Sequence, residues 1–474
     1  MERFDTIVVG AGPAGSTAAF RLARAGARVL LLDRARFPRD KPCGGGLTYR
    51  AVRQLPVSVD PVVEDVVDRF ELGFRYGGRF ERGGEGPLVL MTQRRRLDAH
   101  LAGEAAAAGA DFRDGVRVGS LELRESDATV WFDGSAAAAP VVIGADGVNG
   151  LSARALGVGP RRHGVALEGN VSYVYARARE ERWRGRAVVE LGVVPGGYVW
   201  VFPKGDHVNV GVGGWESEGP RLREHLERAC SGYGLPSERL AGVRGYRLPM
   251  RRPGERAGRE RVLLVGDAAN QADPLNGGGI HKAMEGASLA ADAAFHALTV
   301  GDFSHRTLSL YEHLWEESFE TDWRTAEFFL AVAKNPALKE FCLFLLTQIG
   351  RLTTEDRRFQ EFASGVFSGT VAQSACLSPL ALYKAFPKNP DAWRVLVQGE
   401  HGVAAGSALL VGGAVGSLTR AAGRMVRDPV RNLDWGLEVA VKAVQLAQRG
   451  VHGPARRPAG DRYLPASTPA NGKA

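Results

Sequence analysis

Apolar runs at 4–9, 29–32, 141–144 and 262–265 show no sustained alternation of polar and apolar positions, the pattern of parallel strands buried on both faces. Residues 195–203 read differently. Tyr198, Trp200 and Phe202 alternate with Val199 and Val201, which in a strand puts three aromatics on one face. Beyond residue 298 the apolar spacing becomes helical, over 308–332, 337–352 and 359–367, and the run 402–419 carries no charge. The pattern predicts an α/β body followed by a helical region.

The first two runs enclose Gly10-Ala-Gly12-Pro-Ala14-Gly15 and a helical stretch to Ala25, and the second strand ends at Asp33. Strand, glycine turn, helix and strand make a complete dinucleotide-binding unit. Gly10 allows the tight turn, Gly12 lets backbone amides approach a pyrophosphate at the helix N-terminus, and Gly15 lets helix and strand pack closely. Asp33 is placed to accept hydrogen bonds from a ribose. This unit alone leaves FAD and NAD both open. The third run leads to Asp146-Gly147. The fourth leads to Gly266-Asp267 and on through Gly277-Gly278-Gly279-Ile280 into an alanine-rich helix at 281–298. Both strands end at one ligand crevice. No second strand-glycine-helix unit occurs in the sequence, so NAD(P)H would bind without a Rossmann domain of its own, or a protein donor would supply the electrons.

Composition narrows the partners. The chain has 474 residues, 45% of them hydrophobic, enough for more than one core. Its formal charge is +8, a balance that in some proteins marks a nucleic-acid surface. Here nine lysines stand against 52 arginines, the mark of a GC-rich coding bias, and no nucleic-acid partner is expected. Cys43, Cys230, Cys342 and Cys376 lie far apart, without metal-ligand or disulfide spacing; a reducing, cytoplasmic setting and no metal are expected. The N-terminus runs straight into a strand without the pattern of a secretory signal.

The charge is concentrated at the end. From 400 to 474, ten basic residues face five acidic ones, and Arg420, Arg424, Arg427 and Arg431 fall on one helical face unless Pro429 interrupts it. Beside an uncharged run, this suits peripheral contact with the inner face of an anionic membrane; it also suits a solvated face of a packed helical domain. The uncharged run is at the short limit for a membrane span, so a buried or interfacial helix is expected. The tail 454–474 is expected to be disordered.

The three glycine and acidic fingerprints resemble, in order and spacing, those of single-Rossmann FAD enzymes of the para-hydroxybenzoate hydroxylase type. The resemblance implies that Asp267 contacts the ribityl and pyrophosphate region, and that Gly277, Gly278 and Gly279 present a helix N-terminus to the flavin N1/O2 edge. It also puts Ala14, Arg34, Val118, Asp146, Gly147 and Ile280 at the cofactor. Arg94 matches an arginine that starts a helix beside the flavin, although three consecutive arginines also read as a solvated basic turn.

Lys41-Pro-Cys43-Gly44-Gly45-Gly46 and Pro195-Gly-Gly-Tyr198-Val-Trp200-Val-Phe202-Pro203 further resemble two segments of the geranylgeranyl reductase family, and the likeness covers residues 4 to about 300. It implies saturation of isoprenoid C=C bonds by reduced FAD, with a prenyl diphosphate, prenylated quinone or prenyl lipid as substrate. Cys43, Tyr198 and Trp200 are then candidate catalytic residues, with Cys43 and Gly44 also at the cofactor. The thiol would give or relay a proton; equally, it is a small filler in a glycine turn. The aromatics would form a wall for a polyene, or an ordinary sheet core. Flavin halogenases fit less well, because Tyr198 and Phe202 depart from their W-x-W-x-I-P segment. Aromatic hydroxylation and electron relay to a quinone remain alternatives.

The expected architecture is α/β: a Rossmann-type FAD-binding domain at 1–160, interrupted near 55–90 and completed by 259–300, a β-sheet substrate domain at 161–258, and a helical C-terminal domain at 301–453.

Overall fold

The four apolar runs become adjacent strands of a six-stranded sheet, in the order Gly258–Arg259, Val262–Leu264, Val141–Gly144, Thr6–Val9, Val29–Asp33, Asp111–Asp114. Pairing is parallel except at the Gly258–Arg259 edge. Every residue of the four apolar strands is buried, which explains why these runs lack alternation. The first strand is shorter than the apolar run: Glu2–Arg3 forms a separate strand against Ser135–Ala139, and Phe4 and Asp5 carry the chain from one sheet to the other. Helix Pro13–Arg24 packs against helices Arg94–Ala107 and Ile280–Val300.

This computed structural model describes residues 1–333, apart from 84–85, 159–162, 176–179 and 252–253, together with 335, 362, 373–378, 384, 415–417, 419–427 and 429–450. A second, seven-stranded sheet has the order Ala241–Pro249, His163–Ser172, His207–Trp215, Tyr198–Pro203, Arg186–Leu191, Arg69–Phe74, Gly78–Gly83. Arg69–Phe74 joins it by a parallel pairing with Arg186–Leu191, so a segment far earlier in the chain forms its edge. Val199 and Val201 enter a core with Val188, Val210 and Leu226 of helix Leu222–Gly232. Tyr198, Trp200 and Phe202 occupy the opposite face, as the alternation requires.

Helix Leu310–Ala333 packs on both Ile280–Val300 and the terminal helix Pro429–Gly450. The helix expected over 308–332 is present as Leu310–Ala333, preceded directly by the short helix His305–Leu308. Pro429 opens the terminal helix at its first position, where a missing amide costs nothing. The helix expected at 337–352, nearly all of 359–367, most of the run 402–419 and the tail 454–474 lie outside the described residues. Among those described, no helix is long and apolar enough to cross a membrane.

Candidate active site

The two large sheets and the loops between them enclose a cavity of about 900 Å³. One end is built around the first glycine turn. Gly10 has φ of +102°, and an added Cβ would lie 2.4 Å from the Ala145 carbonyl oxygen, so only glycine closes this turn against the neighbouring strand. Gly12 caps helix Pro13–Arg24, whose first turn has neither an acidic residue nor a side-chain cap. Its orphan amides are therefore open to an anion. Arg94 opens helix Arg94–Ala107 and is gripped one turn later by Asp98 in two 2.7 Å contacts. Arg39 reaches the same carboxylate at 2.7 Å. A methyl group on Gly12 would lie 3.5 Å from Arg39 Nη2 and 3.7 Å from Arg94 Nη2. Two fixed guanidiniums thus flank the open helix end, a donor set for a pyrophosphate.

Asp33 accepts the Ala11 and Ala35 amides at 2.8 and 2.9 Å, which fixes its carboxylate at the rim of the turn. Asp146 accepts from the Ser152 amide and hydroxyl through Oδ2, while its buried Oδ1 has no hydrogen-bond partner among the described residues. Burial holds this carboxyl above its ordinary range. Asp267 is bound by Lys41 Nζ and by the Tyr246 hydroxyl, each at 2.9 Å. Burial alone would raise Asp267, but the Lys41 ammonium prevails and keeps it below the usual carboxylate range.

The turn Gly277–Gly279 leads into helix Ile280–Val300, again without an acid or side-chain cap at its start. Burial, reinforced by the Lys282 charge, pushes His281 down to about 3, so the imidazole beside this helix end stays neutral. The Tyr198 hydroxyl donates to the Asn276 carbonyl at 2.6 Å, tying the aromatic strand to the glycine turn.

The Cys43-Gly44-Gly45 turn packs against the aromatic face. A Cβ on Gly44 would lie 3.0 Å from the Phe202 ring and 3.2 Å from Trp200 Nε1. Gly45 has φ of +63°, and a Cβ there would meet the Thr92 carbonyl oxygen at 2.0 Å. Lys204, fully buried, donates to the Gly44 and Thr92 carbonyls at 2.6 and 2.9 Å. Burial pushes its ammonium down to about 8. The Cys43 amide donates to Glu168 Oε1 at 2.7 Å.

Gly10, Gly12, Ala14, Asp33, Arg34 and Val118 line the cavity at the nucleotide end, together with Arg94, Asp146 and Gly147. Asp267 and Gly277 through Ile280 line it toward the second helix end, and Cys43, Gly44, Tyr198 and Trp200 toward the aromatic face. Gly15 does not line it. A Cβ there would lie 1.7 Å from the Gly10 carbonyl oxygen, so this glycine serves the packing of helix on turn and sits behind the site. Of the three consecutive arginines, Arg94 is buried and Arg95 and Arg96 are exposed, which resolves their register. Arg39, Asp98, Glu168 and Lys204 were not singled out by motif. An acid in the middle of an apolar strand was the only signal for Glu168.

Two uncapped helix starts, paired guanidiniums, an unpartnered carboxylate oxygen and glycines that hold the wall close to the backbone fit FAD. The fold and cradle are those of an FAD-dependent oxidoreductase with one Rossmann unit. The family described as FAD binding domain matches residues 3–314. A digeranylgeranylglycerophospholipid reductase of Methanopyrus kandleri is 32% identical over 68% of this chain and 85% of its own length. A menaquinone reductase of Mycolicibacterium smegmatis is 32% identical over 75% of this chain and 93% of its own. The crystal structure of a geranylgeranyl bacteriochlorophyll reductase-like protein from Thermoplasma acidophilum aligns with a TM-score of 0.66 at 24% identity, over 84% of this chain and 99% of that one. The chain belongs to the geranylgeranyl reductase family of FAD-dependent flavoproteins.

Proposed function

We propose that this enzyme saturates C=C bonds in the isoprenoid chain of a prenylated lipid or quinone, using reduced FAD. The observation that carries this reading is one continuous cavity that joins the FAD cradle to an apolar wall of Phe70, Val89, Met91, Tyr198, Trp200 and Phe202. An extended polyene has no polar groups to recognise, and flat aromatic and aliphatic surfaces suit it. The relatives named for a prenylated phospholipid and for menaquinone support the same substrate class. Reduced FAD supplies the hydride; the protein's part is to hold the chain against it, exclude water and provide a proton. Cys43, Tyr198 and Trp200 line this cavity and are the residues we assign to these tasks. The reductant is NAD(P)H binding without its own Rossmann domain, or a protein electron donor.

Photoreduced protein mixed anaerobically with menaquinone or a prenylated glycerolipid is expected to reoxidise and yield a chain that has gained two hydrogens per saturated bond, read by mass spectrometry. Reoxidation by quinone with an unchanged side chain would identify an electron relay, and a product gaining oxygen only in air would identify a hydroxylase.

The same reading places the enzyme at a membrane surface. Arg420, Arg424 and Arg427 are exposed, and Leu433, Leu437, Val441 and Val444 of helix Pro429–Gly450 are each more than half exposed. Each arginine close to an anionic surface contributes about 1 kcal/mol of attraction. Reversing all three to glutamate is expected to abolish co-sedimentation with anionic vesicles and leave flavin content unchanged; undiminished sedimentation would remove this assignment.

A further inference from the structure

Saturating an isolated double bond requires a proton as well as a hydride. Glu168 lies on strand His163–Ser172, lines the same cavity as Cys43, Tyr198 and Trp200, and accepts the Cys43 amide at 2.7 Å. Its carboxyl is thereby fixed to the backbone of the turn that packs on the aromatic wall.

We propose that Glu168 is the proton donor of the reduction, giving its carboxyl proton to the alkene carbon that does not receive the hydride. This rests on the isoprenoid-reductase reading above. Two electrons arrive with the hydride and form one C–H bond. The π pair of the alkene takes the Glu168 proton and forms the other, and FAD ends in its oxidised state. The glutamate left behind keeps the Cys43 amide as a donor and regains a proton from water.

The surroundings suit an acid that is charged only briefly. Burial pushes the Glu168 carboxyl up to about 7, against the Cys43 amide and the Lys204 ammonium, and Asp40 adds to the rise. Across the pairing with Ala241–Pro249 stands Arg244, which is engaged by Asp40 at 3.1 Å. From the neighbouring strand His207–Trp215, Asn209 accepts Trp200 Nε1 at 2.7 Å and donates to Asn170 Oδ1 at 2.9 Å, and its amide opposes the rise of the Glu168 carboxyl. Lys204, bound to the Gly44 carbonyl, supplies positive charge near the carboxylate as it forms. A general acid works best when its pKa lies near the working pH.

Glu168→Gln keeps an acceptor for the Cys43 amide and removes only the proton, so the turn should hold its shape. The variant is expected to bind FAD normally, to lack an infrared carboxyl band that titrates near pH 7 in the wild type, and to lose about 100-fold or more in single-turnover chain reduction. Wild-type chain reduction should decline as pH rises past 7, and Glu168→Asp should recover part of the rate with a shifted profile. A Glu168→Gln protein that keeps the wild-type rate and pH profile, beside a wild type that saturates the chain, overturns the assignment alone. A wild type that leaves every prenyl chain unsaturated overturns the reductase reading and this assignment with it.

Discussion

Asp98 is fully buried and carries two arginines, Arg94 from its own helix and Arg39 from the loop after the ribose strand. Neither guanidinium bonds the open helix end beside Gly12; the carboxylate aims both toward it. Asp98→Ala would leave two cations uncompensated where water is largely excluded, at a cost of about 3 kcal/mol or more in stability. Flavin affinity should fall with it, checked by flavin-to-protein ratio and by the temperature of flavin release; wild-type values in both would refute the positioning role. At this scale the sequence disclosed Arg94, because a known motif places an arginine there, and it disclosed Asp33, Asp146 and Asp267 as strand-end acids. Arg39 and Asp98 were not legible, because their meeting depends on two segments brought together only by the fold. The motif implies both a packing role and a cofactor contact for Gly15, and only the packing role fits the geometry, since which glycine faces the ligand is decided by the turn's closed form.

Among the described residues, elements formed by local periodicity follow the sequence pattern, and those formed by distant pairing leave little trace in it. The βαβ unit appears in the sequence because strand, turn and helix are consecutive. The parallel pairing of Arg69–Phe74 with Arg186–Leu191 has no local trace. Strand His207–Trp215 explains how the aromatic wall finds room. Val208, Val210 and Val212 go to the core, while Asn209, Gly211 and Gly213 share the other face with Trp200. A Cβ on Gly211 would lie 2.0 Å from the Trp200 ring. Gly211→Ala should therefore tilt the indole and break its bond to Asn209, at a cost of about 1–3 kcal/mol. The FAD cradle is untouched by this change, so the expected result is a lower unfolding temperature and slower chain reduction at an unaltered flavin content. An unchanged unfolding temperature would show that the wall is not packed as tightly as this.

Across the whole molecule, the helices after residue 300 brace the cofactor turn from behind. Lys282 and Asp273, each about 1% exposed, pair at 2.9 Å, and the ammonium lies over the rings of Phe319 and Trp323 from helix Leu310–Ala333. Asp273 in turn accepts the Leu275 and Asn276 amides through its side chain, and its backbone bonds Gly277 and Gly278. A continuous set of contacts thus runs from the helical region to the turn where the flavin-side helix begins. Burial alone would raise Asp273, but Lys282 holds it below the usual carboxylate range. For a carboxyl depressed in the folded state, the stabilisation is present above its ordinary value of 3.8 and is lost as pH falls through the folded value. Lys282→Met leaves this carboxylate buried without its cation, at a cost of about 3–5 kcal/mol, and should release flavin at a lower temperature. Adding Asp273→Asn keeps the oxygen that accepts the two amides and removes the stranded charge, so the double variant should recover most of the loss and should no longer weaken over that acidic window. Flavin release followed by fluorescence against temperature and pH separates the outcomes. If Lys282→Met holds its flavin to the wild-type temperature, the helical region does not brace the turn through this pair.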